Sequence, residues 1–277
     1  MIVVSILLLA TFFLSRAIRL SRTPMKPAFN NELTSGTLAS EANTQAEQGQ
    51  TDSLTSDFSI EELMGKVSVR GNADFKAIEG GLSTKTGLYL RAEALTAFES
   101  MSKAATKEGI SLKIISAYRS FDQQKVIWEN KWSGRQKLSG GINASSISDP
   151  VKRATEILKY SSMPGTSRHH WGTDIDINSL SPAYFKSGRG LKEYQWLKVH
   201  GAEYGFCQPY TKQGEDRLTG YEEEQWHWSY CPLSSKMLRE YNQKIKEEML
   251  QGFLGSETAR DIQIIRYYVN GIHKDCI

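Results

Sequence analysis

The chain has 277 residues, a net charge of +3 and an ordinary globular composition, 39% hydrophobic. That is enough chain for one or two domains with a full apolar core. So slight a basic excess makes no case for a nucleic-acid partner, and the spacing of Cys207, Cys231 and Cys276 fits no zinc knuckle or ribbon.

Taken in order, Ile2–Leu14 is an apolar run, shorter than the roughly 20 residues of a spanning helix. It reads as the core of a signal peptide, or as a short membrane anchor if the helix runs on to Leu20, so residues 1–22 are assigned to one or the other. No basic residue precedes the run, and Arg16, Arg19 and Arg22 follow it. By the positive-inside rule alone, that order would keep the following chain in the cytoplasm. Residues 23–58 are rich in Ser, Thr, Asn, Gln, Glu and Ala without periodicity, the composition of a disordered polar tether. Residues 59–277 are expected to be the folded part.

Ser59–Met64 reads as a short capped helix, and Leu90–Glu108 as a helix with Leu90, Ala94, Leu95, Phe98, Met101 and Ala105 on one face, ended by Gly109. The branched residues of Leu112–Tyr118 predict a strand, followed by a helix over Phe121–Trp132. A Gly/Ser-rich loop spans Ser133–Asp149, and Asp149 and Pro150 open a helix to Tyr160. Further on come a helix over Leu191–Tyr204, a short strand at Gly205–Pro209, a polar loop over Tyr210–Tyr221 and a strand at Trp226–Tyr230. A long charged helix over Leu233–Leu250 and a strand-like Ile262–Ile272 complete the series.

Two stretches carry chemistry. Ser167–Asn178 reads Ser-Arg-His-His-Trp-Gly-Thr-Asp-Ile-Asp-Ile-Asn. Gly172 is the expected bend, and the alternation after it puts Asp174, Asp176 and Asn178 on one strand face and Thr173, Ile175 and Ile177 on the other. A histidine before the turn and an aspartate after it can then converge on a divalent metal, and zinc accepts nitrogen with carboxylate. Far downstream, Glu224-Gln-Trp-His227 adds a histidine and a glutamate. Three protein ligands plus a carboxylate that takes a proton from water are what a catalytic zinc site needs. Residues three apart on a strand face opposite ways, so the chain must turn near Gln225 if Glu224 and His227 are to meet.

These motifs, with Ser116-Ala-Tyr-Arg-Ser120 and the glutamines after it, closely resemble the zinc D-alanyl-D-alanine carboxypeptidases of the VanY type. The group also holds D,D-dipeptidases, murein endopeptidases and the zinc domain of hedgehog proteins. The resemblance covers roughly 59–232 and implies an α+β fold, a central antiparallel sheet flanked by helices. It implies His169, Asp176 and His227 as Zn2+ ligands, Glu224 as general base and Arg119 at the substrate carboxylate or scissile carbonyl. Ser167, Gln124, Tyr118 and Ser120 are implied as substrate-binding. Read without the family, Arg119 would more simply cap a strand end or pair with Asp122. Asp174, where the family more often has alanine, either orients a ligand histidine from behind or replaces Asp176 as ligand. His170 is expected behind the ligands or in the cleft wall, and His200 and His273 as ordinary histidines.

The implied reaction is hydrolysis of the terminal D-Ala from peptidoglycan stem peptides, by an exported monomer of the cell envelope. The alternatives are a murein endopeptidase and a non-catalytic zinc or cell-wall-binding domain. Cys207 and Cys231 flank the second cluster and could pair in an oxidising compartment, and the odd count leaves at least one cysteine over.

Overall fold

The computed structural model describes residues 57–277. The expected signal or anchor at 1–22, and all of the tether but its last two residues, lie outside that range. Asp57 and Phe58 already belong to the fold: both backbone amides donate to Glu240, and the Phe58 ring is buried.

The scaffold of the site is a four-stranded antiparallel sheet in the order β3 (Ile114–Ser116), β4 (Asp174–Ile177), β6 (His227–Tyr230), β5 (Phe206–Cys207). All four residues of β4 are buried, which fits a central strand covered on both sides. Cross-strand partners share a face. Asp174 stands opposite Ser229, and Asp176 opposite His227 on one side and Ser116 on the other. The polar face of the sheet is therefore one row of chemistry-bearing side chains. The opposite face puts Ile175, Ile177 and Trp228 into a core with Leu90, Leu95, Phe98 and Met101. These come from β2 (Tyr89–Arg91) and helix α2 (Ala92–Lys107). Helix α5 (Gly188–His200) adds Trp196 and Leu197.

Around the polar face, a second core gathers Trp128 and Trp132 of α3 (Phe121–Trp132), Ile157 of α4 (Pro150–Ile157), and Met237 and Tyr241 of α6 (Cys231–Lys244). A small hairpin of β1 (Phe75–Ala77) with β2 lies outside this sheet; the sequence reading had no strand in either place. Two capping boxes start helices: Ser59 with Glu62 ahead of α1 (Ile60–Leu63), and Ser120 with Gln123 ahead of α3.

Two expectations are corrected. The long charged helix ends at Lys244, where Ile245 turns extended and buries its side chain, and only a short 3-10 turn follows at Glu247–Met249. Residues 262–272 are not a strand. Helix α7 (Thr258–Ile262) ends at a left-handed Gln263, and Ile265–Val269 winds as a π-turn. The β-branched residues there suggested a strand, but Ile264, Val269 and Ile272 are drawn into the second core, and tertiary burial overrides local β preference. The return of the chain depends on two glycines: a Cβ on Gly220 would lie 2.4 Å from the Gly271 carbonyl oxygen.

Candidate active site

The stretch from Ser167 to Asn178 folds as a 3-10 turn (Arg168–Trp171), a left-handed Gly172 and then β4. Gly172 has φ +69°, and a Cβ there would meet the Phe75 ring at 2.4 Å, so only glycine suits this bend. The bend brings His169 back over β4. On β6 the chain turns at Gln225–Trp226, closed by the His227 amide donating to the Glu224 carbonyl at 3.3 Å. That turn resolves the facing problem, and Glu224 and His227 point the same way.

His169, Asp176 and His227 are all buried, and their ligand atoms lie within 4.8 Å of one another. His169 Nε2 is 3.3 Å from Asp176 Oδ2, and His227 Nδ1 is 3.3 Å from Asp176 Oδ1 and 3.4 Å from Glu224 Oε2. Partners behind the rings fix which nitrogens are free. His169 Nδ1 faces the Ala117 carbonyl at 2.8 Å. A carbonyl only accepts, so Nδ1 carries the hydrogen and Nε2 offers a lone pair. His227 Nε2 faces Asp174 Oδ1 at 2.9 Å, which leaves Nδ1 as the nitrogen free to ligate. Asp176 Oδ1 is buried without a hydrogen-bond partner. Two aimed lone pairs and an orphaned carboxylate oxygen fit a divalent cation such as zinc.

The two readings of Asp174 now separate. Its Oδ1 also accepts from Arg168 Nε at 2.9 Å, and its Oδ2 accepts from Thr173 and Ser229 hydroxyls at 2.6 and 3.0 Å. With these bonds made, Asp174 orients His227 rather than replacing Asp176. Burial alone would raise its carboxyl, but Arg168 and His227 outweigh it and hold Asp174 below the usual carboxylate range. Burial likewise opposes ionisation of Asp176, and His169 and His227 hold it down. His227 is pushed well above the ordinary imidazole range: burial works against this, and the surrounding carboxylates of Asp174, Asp176 and Glu224 prevail.

Arg119 also faces the cluster. Its Nη1 donates to Gln124 Oε1 at 2.7 Å, its Nη2 to Ser116 Oγ at 2.9 Å, and Nη2 stands 4.0 Å from Asp176 Oδ2. Asp122 is not its partner. Gln124 is fully buried, and its amide donates to the Ser162 carbonyl. Its role here is to hold Arg119. Tyr118 and Ser120 are also engaged away from the cleft: the Tyr118 hydroxyl donates to the Val67 carbonyl at 2.9 Å, and Ser120 caps α3. Ser167 does line the cleft. His170 is no cleft wall. Its Nδ1 donates to the Arg119 carbonyl at 2.6 Å and its Nε2 accepts from the Gly165 amide at 3.0 Å. Burial lowers it to about 3, so it is a neutral strut behind Arg119. His200 and His273 pair with Glu203 and Asp216 elsewhere.

Sequence reasoning gave no role to Arg168 or Lys131. Arg168 is 1% exposed, and an arginine directly beside a candidate ligand histidine was the available signal for it. The cleft above the cluster has a volume of about 400 Å3 and is lined by Arg119, Lys131, Ser167, Tyr160, Glu224 and Trp226 among others.

YodJ of Bacillus subtilis (strain 168), a protein named for a carboxypeptidase, is 34% identical over 169 residues, 57% of this chain and 55% of YodJ. A D-alanyl-D-alanine carboxypeptidase of Enterococcus faecalis (strain ATCC 700802 / V583) is 27% identical over 132 residues, 48% of this chain and 44% of that protein. The chain thus spans about half the length of these curated relatives. Among solved structures, the LdcB LD-carboxypeptidase aligns with a TM-score of 0.45 and 28% identity, covering 63% of this chain and 79% of LdcB. The description of the VanY family, D-alanyl-D-alanine carboxypeptidase, matches residues 87–233, more than half of the chain and a range that takes in Arg119, His169, Asp176, Glu224 and His227; the chain belongs to that family.

Proposed function

We propose that the protein is a zinc-dependent D-alanyl-D-alanine carboxypeptidase that removes the terminal D-Ala of peptidoglycan stem peptides. The observation that carries this reading is the placement of Glu224 beside three convergent ligand atoms with Arg119 across the same cleft. Zinc held by His169, Asp176 and His227 would acidify water and polarise a carbonyl. Glu224 accepts the proton from the attacking water and delivers it to the leaving amine. Arg119, pinned by Gln124 and Ser116, presents a fixed guanidinium to the developing oxyanion. Ser167, which lines the cleft, hydrogen-bonds the peptide. The apolar run of residues 2–14 and the polar stretch after it support an enzyme held at, or secreted across, a membrane.

The test is release of D-alanine from a peptide ending in D-Ala-D-Ala by the zinc-loaded full chain and by its Glu224→Ala variant. We expect release by the native chain and a loss of about 100- to 10,000-fold in the variant, with zinc retained. Zinc bound without turnover by the native chain would reject the carboxypeptidase. One observation favours a second reading: a cavity of about 600 Å3 adjoins the cleft and shares Lys131, Gln136, Ser139 and Tyr160 with it, room for a longer, cross-linked peptide. A cross-linked muropeptide in the same assay sorts carboxypeptidase from endopeptidase.

A further inference from the structure

Two cationic side chains other than histidine line the catalytic cleft, Arg119 and Lys131. Arg119 already donates to Gln124 and Ser116 and lies beside the Asp176 carboxylate. Lys131 is differently placed. It projects from the last turn of α3 into the cleft and donates to the Ser161 hydroxyl. An ammonium has three donors, and no carboxylate among the described residues pairs with this one within 4.0 Å. Burial and the neighbouring Arg119 both press the Lys131 ammonium towards its neutral form, while Glu224 pulls the other way. The three charges therefore sense one another across the same cavity.

A half-buried cation without an anion is a site waiting for one. The chemistry of the reaction says which. Glu224 must reach the amine that leaves, and in an α-amino acid the carboxylate hangs on the carbon that bears that amine. A cation that reads the free end of the chain has to line the same cleft as Glu224, and Lys131 does. An internal peptide bond would present a neutral amide there and leave the ammonium unpaired. We propose that Lys131 binds the free C-terminal carboxylate of the peptide, so that this cleft selects chain ends over internal bonds. This rests on the peptidase reading above and supplies its exopeptidase specificity.

The test uses two probes that differ only at the C-terminus: Nα,Nε-diacetyl-L-Lys-D-Ala-D-Ala and its C-terminal amide. The acetyl groups remove the amines, and the free acid carries a carboxylate at the chain end alone, so an internal carboxylate cannot answer for it. Binding is measured by calorimetry on the zinc-loaded full chain carrying Glu224→Ala, with and without Lys131→Met. With Lys131 present the acid should bind about 10- to 100-fold tighter than the amide, the worth of one hydrogen bond to a charged group. In Lys131→Met the two should bind alike, and Lys131→Arg should restore part of the difference. In the Glu224 enzyme, Lys131→Met should raise KM for the acid with a much smaller change in kcat. An acid-to-amide ratio unchanged by Lys131→Met would overturn the proposal, as would failure of both probes to bind. Acid-selective binding through Lys131 without turnover by the native chain would leave the carboxylate site standing and remove the hydrolase reading instead.

Discussion

Asp174 shows how much of this site is built one residue behind the candidate ligands. It holds the Nε2 hydrogen of His227 and is itself held by Arg168, Thr173 and Ser229. A ligand histidine fixed by a carboxylate is a better oriented and more basic donor. Asp174→Asn should therefore weaken zinc by about 10- to 100-fold, measured by competition with a chromophoric chelator. It should also destabilise the domain by about 3–5 kcal/mol, because Arg168 is left buried without its counter-charge. Zinc affinity that stays unchanged would remove Asp174 from the support of the metal. Complete loss of binding with an intact fold would instead make it a ligand. The sequence could pose this choice but not settle it, because the partners of Asp174 arrive from β6 and from the turn before β4.

At the scale of elements, the same contrast runs through the chain. Helix α3 was legible to the residue, because Ser120, Gln123 and Trp132 mark its limits locally. The bend at Gly172 and the turn at Gln225 were legible too, one from a glycine between two patterns and the other from strand geometry. The helical path of 262–272 was not, since its Ile and Tyr residues favour a strand until the second core claims them. Nor was Lys131: a lysine on a helix reads as solvated until folding turns it into a cleft. Ser120 illustrates a family implication that the element itself redirects. Its hydroxyl accepts from the Gln123 amide at 3.2 Å, so Ser120→Ala should lower stability by about 1 kcal/mol in urea unfolding while KM stays unchanged. A raised KM at unaltered stability would return Ser120 to the substrate.

Over the whole molecule, the three cysteines bring distant parts of the chain together. Cys207 ends β5, Cys231 opens α6, and Cys276 lies next to the C-terminal Ile277. The sulfur of Cys207 is within bonding reach of both others, at Cα separations of 6.5 Å to Cys231 and 5.7 Å to Cys276, each within the span of a disulfide. A sulfur makes one such bond, so the pairing expected with Cys231 has a competitor in Cys276. In the oxidised full chain one thiol per molecule should titrate with a thiol reagent in denaturant, and a non-reducing peptide map should place the disulfide between Cys207 and one of the other two cysteines. Two or three thiols, or a linkage that leaves Cys207 free, would contradict this.

The consequence is topological. Closure on Cys231 makes a ring of sequence separation 24, and closure on Cys276 one of 69. In the chain-entropy picture the larger ring restrains the unfolded state more, by about 1 kcal/mol. The leftover thiolate can exchange one ring for the other by attacking Cys207 and releasing its former partner, with no net oxidation. Cys231→Ser leaves only the larger ring to close and Cys276→Ser only the smaller, so the two oxidised variants should differ in melting temperature, the larger ring melting higher.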